Sequence, residues 1–244
     1  MFERGVHTGE KILQRHMPEI MAGLTKKWMV HAAFPFSNMH GDKFIWEGAR
    51  FYAKYRFISQ DDVHKHFRMA VFAGGAYSRN HLDHNEINFM GDQSGVFGGL
   101  TATQLWNKFA ISASGSWNEV LNKKRSDKLI RQVYAFQAIN YSLSAGYLLL
   151  PFNYENYNQT NLNLYLELLG SRNTNFPADN YFIDLAPSVQ FIFNSTSKLN
   201  LGYRFQVSGD TYRLSENSFM VSYEYIFLNG LKKRTKKQTA TPIH

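Results

Sequence analysis

The chain has 244 residues, of which 16% are aromatic and none is cysteine, and its formal net charge is +8. The absence of cysteine excludes a disulfide framework, a thiol nucleophile and a thiolate metal site, and no run approaches the roughly 18 apolar residues of a transmembrane helix. Part of the positive charge lies in the C-terminal run 232–237. No nucleic-acid-binding motif accompanies this run, so nucleic acid is not an expected partner.

Four segments of the N-terminal half alternate apolar and polar residues with a period of two. Such alternation predicts half-buried β-strands, and the aromatic content favours strands as well. The first two segments form a hairpin through residues 25–27. The four apolar faces contain Ile20, Ala22 and Leu24; Trp28, Val30, Ala32 and Phe34; Ala49, Phe51, Ala53, Tyr55 and Phe57; and Phe67, Met69, Val71, Ala73 and Tyr77.

Three predicted strands occupy the middle of the chain. Residues 94–105 are rich in glycine, and their two faces are similar. Residues 109–117 place apolar side chains opposite Ser112 and Ser114, a small polar face that suits a barrel interior. Residues 132–150 predict one long tilted strand with Val133 and Ala135 on its apolar face.

The C-terminal part contains four strands of one design, each with an apolar, aromatic-rich face and a mostly polar face. Pro187 is unusual among them, because a proline cannot donate a ladder hydrogen bond. The apolar faces contain Leu162, Leu164, Leu166 and Leu168; Ile183, Leu185, Pro187, Val189, Phe191 and Phe193; Leu199, Leu201, Tyr203, Phe205 and Val207; and Phe219, Val221, Tyr223, Tyr225 and Phe227.

These segments predict an all-β fold, an antiparallel transmembrane β-barrel of about twelve strands of which eleven are recognisable. A soluble sandwich or a lipocalin-like barrel is the structural alternative. We favour the membrane barrel because eleven or twelve strands enclose more volume than apolar side chains fill, so the apolar faces are expected to point outward. The predicted domains are an external loop remnant at 1–15, the barrel at 16–227 and a basic, disordered periplasmic tail at 228–244.

The connections between the predicted strands alternate in length, as in outer-membrane barrels with short periplasmic turns and longer external loops. Since residues 1–15 then lie in an external loop, the first strand and a signal peptide are expected to precede Met1. Without that strand the barrel edge would remain open or close in parallel. The short connections are 25–27, 59–62, 106–108, 151–159 and 194–197, and the long ones are 37–42, 80–93, 118–129, 171–179 and 209–216.

Three segments resemble outer-membrane barrels of Bacteroidetes type, and among them the transporter family of the MetA pathway of phenol degradation. They are GLTKKWMVHAAFPF (23–36), HFRMAVFAGGAYSRN (66–80) and LNLGYRFQVSGDTYRLSENSFMVSYEYIF (199–227). The resemblance implies an outer-membrane location and passage of small solutes, including aromatic or poorly soluble ones. Such barrels commonly end on an aromatic residue that the barrel-assembly machinery recognises, and Phe227 fits that role although 17 residues follow it.

Charged side chains on the inward faces are the candidate functional residues. An open lumen would use them to select solutes by charge, whereas a plugged barrel would pair them in salt bridges. The N-terminal set is basic and the C-terminal set is mostly acidic. The candidates are Arg50, Lys54, Arg56, His64, His66 and Arg68, and then Glu167, Asp184, Arg204 and Glu224.

A metal site and an enzyme active site have weaker support in the sequence. His81, Asp83, His84 and Glu86 carry metal-ligating groups, but no helical spacing fixes them, and a polar external loop is the favoured explanation. No Ser-His-carboxylate signature is recognisable, so we expect neither catalysis nor a cofactor. The expected function is a passive channel or transporter in the outer membrane, in contact with lipid, solute and assembly machinery. The alternatives are an adhesive or structural barrel and a membrane-embedded hydrolase.

Overall fold

The computed structural model describes residues 2–6, 12–41, 43–122, 126–127, 129–153, 158–175 and 180–228. Within them lie fifteen β-segments and one short helix. The segments are β1 (Phe2–Val6), β2 (Ile12–His16), β3 (Glu19–Gly23), β4 (Trp28–Ala33), β5 (Phe36–Ser37), β6 (Ile45–Trp46), β7 (Gly48–Asp61), β8 (Lys65–Ser78), β9 (Gly95–Trp106), β10 (Phe109–Val120), α1 (Ile130–Val133), β11 (Gln137–Leu150), β12 (Asn161–Asn173), β13 (Tyr181–Phe193), β14 (Ser197–Gly209) and β15 (Asn217–Tyr225). No helix in these ranges is long and apolar enough to cross a membrane.

Three of the strands are each interrupted once near the same end of the sheet. Pro18 lies between β2 and β3, Pro35 lies between β4 and β5, and Glu47 lies between β6 and β7. A proline interrupts a ladder because it has no N–H to donate. Pairing nevertheless continues across the breaks, since Phe34 N donates to Pro18 O at 3.0 Å and Glu47 N to Pro35 O at 2.9 Å. Fifteen segments therefore make twelve strands.

The twelve strands form a hydrogen-bonded ring in which each neighbouring pair is antiparallel. β1 pairs with β15 through Phe2 opposite Val221 and with β2 through Phe2 opposite His16. The expectation that the closing strand is missing is therefore wrong, as is the placement of all of residues 1–15 in an external loop. The physical requirement for a closing strand was correct, but residues 2–6 are too short and too polar in pattern to be recognised as one. Residues 229–244, most of the predicted tail, lie outside the described ranges.

The middle of the chain departs from the prediction at one place. The expected strand 132–150 begins only at Gln137, and residues before it form α1 and the buried pair Ala135 and Phe136. Ala135, which the alternation predicts to face outward, packs with Phe136 inside the end of the barrel instead. The glycine-rich segment does form β9, and β13 runs unbroken through Pro187.

The apolar faces point outward, as the sequence predicts. Leu100, Leu143 and Leu166 remain 48–53% exposed in mid-strand positions. Exposed aromatic side chains flank them, with Trp28, Trp106, Phe109, Tyr147 and Phe193 toward one end and Trp46, Tyr77 and Trp117 toward the other. An apolar belt between aromatic girdles is the exterior of a membrane barrel. The fold class is thus an all-β antiparallel barrel, and its surface is compatible with a β-barrel membrane protein.

The barrel has two unlike ends. The turn end contains the connections after β3, β7, β9, β11 and β13, which are short except for the one after β11, and the loop end contains those after β1, β5, β8, β10, β12 and β14. Twelve tilted strands spaced about 4.8 Å apart place opposing backbones about 24 Å apart. Side chains and an inserted loop therefore share a wide interior.

Candidate functional site

Residues 79–94, the seal loop, connect β8 to β9 and lie across the loop end of the barrel. At its start, Arg79 N donates to Glu47 O at 2.8 Å. In its middle, Asn85 N donates to Tyr212 O at 2.8 Å, and the Asn173 side-chain amide donates to Asn85 O at 3.0 Å. Since these partners belong to widely separated strands and loops of the ring, the seal loop is fastened on both sides of the barrel mouth.

Apolar side chains of the seal loop fill the space beneath it. Ile87 and Phe89 are 4% and 6% exposed and form a cluster with Phe97 of β9 and with Phe136. The Phe89 and Phe97 rings stack with centroids 5.8 Å apart. This is the apolar core within the described residues, and it lies inside the loop end because the belt of the barrel faces outward.

The first of two ionic networks joins the seal loop to the β2–β7 side of the barrel. We call Arg15, Ser37, His40, Glu47 and Asp92 the Asp92 network. Arg15 donates to both oxygens of Glu47, at 2.8 and 3.2 Å, and also to the carboxylate of Asp92. Ser37 Oγ donates to Glu47 Oε1 at 2.6 Å. Arg15, Glu47 and Asp92 are each at most 3% exposed, so these charges depend on each other for solvation.

His40 is the second cation of the Asp92 network. Its Nε2 lies 2.9 Å from Asp92 Oδ1, and its Nδ1 lies 3.0 Å from Asp83 Oδ2. A carboxylate only accepts hydrogen bonds, so the histidine donates from both nitrogens and is an imidazolium. Partial burial opposes the charge, but the hydrogen bond and charge of Asp92 outweigh it and raise the pKa of His40. Burial would raise the pKa of Asp92, yet Arg15 and His40 hold it well below its usual range.

His40, Glu47 and Asp92 also place their ligand atoms within 4.8 Å of one another, a spacing that a metal ion could use. The charges of the site argue against one. Arg15 already occupies both carboxylates, and both nitrogens of His40 already face carboxylates. The network is balanced, with two cations for its two buried anions, so a divalent cation would add uncompensated charge.

The second network joins the seal loop to the opposite side of the barrel. We call Glu86, Asp184, Arg204 and Arg213 the Asp184 network. Arg213 binds Asp184 with two bonds of 3.0 Å, and Arg204 contacts the same carboxylate and donates to Glu86 at 3.1 Å. The guanidinium of Arg213 also lies 4.4 Å from the ring centroid of Phe182. Asp184 is fully buried, so one desolvated carboxylate holds the two arginines, and these in turn hold Glu86.

The sequence-predicted charges are thus divided between two settings. Asp184 and Arg204 belong to the Asp184 network, while Glu224 pairs with Lys198 at 3.3 Å in the turn-end half. Glu167 lies on the inner face of β12, half-buried. His66 and Arg68 contact Asp61 at 2.8 and 3.2 Å near the turn end. His64 is exposed in the turn after β7 and is not on a strand face.

Of the four predicted metal candidates, the structure uses three in the seal. Glu86 belongs to the Asp184 network, Asp83 holds His40, and His84 lies buried with its Nε2 4.0 Å from Asp92. His81 is exposed. The four side chains therefore do not converge on one point.

The remaining basic candidates line two cavities inside the barrel. The loop-side cavity, about 360 Å³, is lined by Arg50 and Lys54 beneath Phe89 of the seal loop. The turn-side cavity, about 410 Å³, is lined by Lys54, Arg56 and Arg68. Both cavities include Lys54 and Thr101 in their walls, so they approach each other in the middle of the barrel.

Sequence analysis missed Arg15, His40, Glu47, Asp92 and Arg213. Glu47 is the clearest case, because strict alternation from Ala49 and Phe51 would place it outside the barrel. The break between β6 and β7 turns it inward instead. The alternation of Ile20 and Ala22 does extend back to an inward Arg15, which was a usable signal. His40, Asp92 and Arg213 lie in loops, where no periodicity assigns a direction.

Comparison with known proteins assigns no family to the chain. No protein-family model matches the sequence, and no curated protein matches it either. Solved structures do match. One of them, from a study of the in-meso crystallization of membrane proteins, has 13% identity and a TM-score of 0.37 over 91% of this chain and 82% of that one. A similarity at this level assigns neither ancestry nor function.

Proposed function

We propose that the protein is an outer-membrane barrel that passes small solutes and that the seal loop closes its external end. The observation that carries this proposal is the pair of cavities, one in each half of the barrel, that both have Lys54 and Thr101 in their walls. Basic and hydroxyl side chains in the linings of both cavities favour polar solutes. The outward apolar belt supports insertion in a bilayer, and the short connections of the turn end would face the periplasm.

The test is single-channel conductance in planar bilayers, comparing wild type with a variant whose seal is weakened on both sides. Glu86→Gln with Asp92→Asn removes one carboxylate charge from each network, so the seal loop loses ionic attachment to both walls. We expect rare, brief openings in wild type and frequent openings in the double variant. Glu216→Gln is the matched control, because Glu216 is an exposed carboxylate of another loop at the same end.

A barrel that folds but shows no conductance in either form would contradict the proposal and support an adhesive or structural role. Conductance that is high in wild type and unchanged in the double variant would contradict the seal alone. Heat-modifiable migration on gels shows whether each variant has folded. The proposal includes no catalytic step and no cofactor, and labelling by a serine-hydrolase inhibitor would contradict that part of it.

Two contacts with other molecules belong to the same proposal. Outer-membrane lipid would surround the apolar belt. The barrel-assembly machinery would recognise the end of the last strand, where Phe227 is 80% exposed and its ring centroid lies 4.8 Å from that of Tyr225. Phe227→Ala should therefore slow insertion in cells without lowering the stability of the folded barrel, since the side chain makes little contact with the rest of the chain.

A further inference from the structure

The turn-side cavity has an unbalanced charge, in contrast to the two networks of the seal. Five basic residues line it, and none of its lining residues is acidic. They are Lys26, Lys27, Lys54, Arg56 and Arg68. The loop-side cavity adds Arg50 and likewise has no carboxylate among its lining residues. Asp61 lies close by and contacts Arg68, and the charge of Glu19 acts on Arg50, so two carboxylates lie near six basic side chains.

Lys54 is the central member of this group. It lines both cavities, and across the described part of the chain its ammonium has neither a hydrogen bond nor an ion pair. Further toward the loop end, Arg50 lies 4.8 Å from the ring centroid of Phe97, and its Nε is buried without a hydrogen-bond partner. A desolvated cation without a counterion is unfavourable, so an anion in the lumen would stabilise Lys54, and it could also accept a hydrogen bond from the unpartnered Nε of Arg50.

We propose that the turn-side cavity is a binding site for small organic dianions, specifically short dicarboxylates, and that Lys54 passes them toward Arg50. This inference deepens the proposed conduit function and rests on it. The volume of about 410 Å³ lies within the roughly 300–1,000 Å³ of small-molecule sites. Thr101 and Thr103 supply hydroxyl groups, and Met29 and Ala70 supply apolar surface for a short carbon chain.

The spacing of the cations favours two separated negative charges over one compact anion. Lys54 and Arg56 are two residues apart on β7, which places their backbones roughly 7 Å apart along the strand. Arg68 lines the same cavity from β8, where it pairs with Ser59 and lies diagonal to Arg56, whose own partner is Ala70. One carboxylate can therefore meet Lys54 while the other meets the two arginines. Arg56 donates one bond to Lys26 O and keeps further N–H groups for a ligand.

The test measures binding to the folded barrel in detergent by isothermal titration calorimetry, independently of conduction. The probes are succinate, the neutral isostere succinamide, the monoanion acetate and inorganic phosphate. We expect succinate to bind at least about tenfold more tightly than succinamide or acetate, because each charge-assisted hydrogen bond contributes enough for such a factor. Binding should weaken as salt is raised.

Variants then locate the site. Lys54→Gln should weaken succinate binding about tenfold or more. Lys198→Gln is the matched control, because Lys198 is an inner-face lysine already neutralised by Glu224 and lies outside the lining of both cavities. Its succinate affinity should stay within about twofold of wild type.

The comparison of succinate with the other probes uses the wild-type barrel, so it tests the binding site even if the Lys54→Gln variant misfolds. Equal binding of succinate and succinamide would overturn the site, and phosphate binding as tight as succinate would overturn the spacing argument. Equal effects of the Lys54 and Lys198 substitutions would overturn the location. Succinate binding in a barrel that does not conduct would leave the site intact and contradict the conduit. Conduction without succinate binding would contradict the binding site and leave the conduit function intact.

Discussion

The two ends of this barrel differ in whether their charged side chains are paired. At the loop end, the Asp92 and Asp184 networks each combine two cations with two anions, and five of these eight groups are buried. In the turn-side cavity, five basic side chains lie without an acidic partner in the lining. Paired buried charge is costly to separate, whereas unpaired charge in a hydrated lumen attracts counterions. The first arrangement suits a closure and the second suits a solute path.

Both networks use one residue of the same loop, and this explains how a loop can close a wide barrel. Glu86 and Asp92 are six positions apart, and they contact Arg204 on β14 and Arg15 on β2 respectively. The apolar cluster of Ile87 and Phe89 lies between them. The seal loop is therefore attached to the barrel wall at two points, and breaking the ionic contacts at either point should loosen the loop only partly.

The largest effect should follow from removing the shared carboxylate of the Asp184 network. Asp184→Ala leaves Arg204 and the 1% exposed side chain of Arg213 without their main partner. We expect a loss of about 3–5 kcal/mol in the free energy of unfolding, the usual cost of breaking a buried ion pair. Urea unfolding in lipid vesicles would measure it. Glu224→Gln breaks a pair that is 28–29% exposed and should cost at most about 1 kcal/mol; equal losses would remove the distinction between the two ends.

A slightly smaller effect should separate the outer surface from the inner one. Leu166 is 48% exposed on the apolar belt, while Ser142 is on the inner face, hydrogen-bonded to Ser114 at 2.7 Å. Leu166→Arg should lower the stability of the barrel in lipid by about 2–4 kcal/mol, the cost of a midplane charge that faces lipid. Ser142→Arg should cost less, because its charge can reach lumen water. The reverse order would show that the belt does not face lipid.

The Asp92 network should make the closed position of the seal loop most stable within a defined pH range. The pKa of His40 is raised above its usual value of about 6.5, so its contribution is fully present below that value and is lost as the pH rises through the raised pKa. The pKa of Asp92 is lowered, so its contribution is present above about 3.8 and is lost as the pH falls through the lowered pKa. Arg15 and Glu47 lie on the neighbouring strands, and His84 stacks on His40 at 6.2 Å.

Hydrogen exchange of residues 79–94 would test this range. Protection factors should be greatest in mildly acidic solution and should fall toward alkaline pH. His40→Gln should remove most of the alkaline decrease while leaving the exchange of β10 unchanged. A decrease of the same size in the variant would assign the pH dependence to another group.

The smallest effect should come from the uncharged part of the inner wall. Asn163, Gln190, Asn200 and Ser222 form a chain of side-chain hydrogen bonds across β12–β15, with distances of 2.7–3.0 Å. Gln190→Ala should cost about 1 kcal/mol in unfolding free energy, the net value of ordinary hydrogen bonds beside water. Succinate binding should not change. A loss comparable to that of Asp184→Ala would mean that this wall, too, is a buried network.

Several features were predictable from residue types alone. The period-two alternation of β7, β8 and β10–β15 fixed both the strands and the direction of their apolar faces, because neighbouring side chains on a strand must point to opposite sides of a sheet. Interior positions of Arg50, Lys54, Arg56 and Arg68 followed from the same rule. Alternation failed at β1, whose five residues carry no clear apolar face, and at Glu47, where a break in the strand reverses the direction.

The sequence by itself determined that the chain forms an antiparallel barrel with an apolar exterior, since that requires only local periodicity and the obligation to pair every backbone group. Only the tertiary structure decided what the interior charges do. Asp184 and Arg204 looked equivalent to Lys54 and Arg56, yet the first two meet Glu86 and Arg213 from distant loops while Lys54 meets no counterion among the described residues. Whether a charge is paired depends on which loop folds across it, and loops have no period from which that can be calculated.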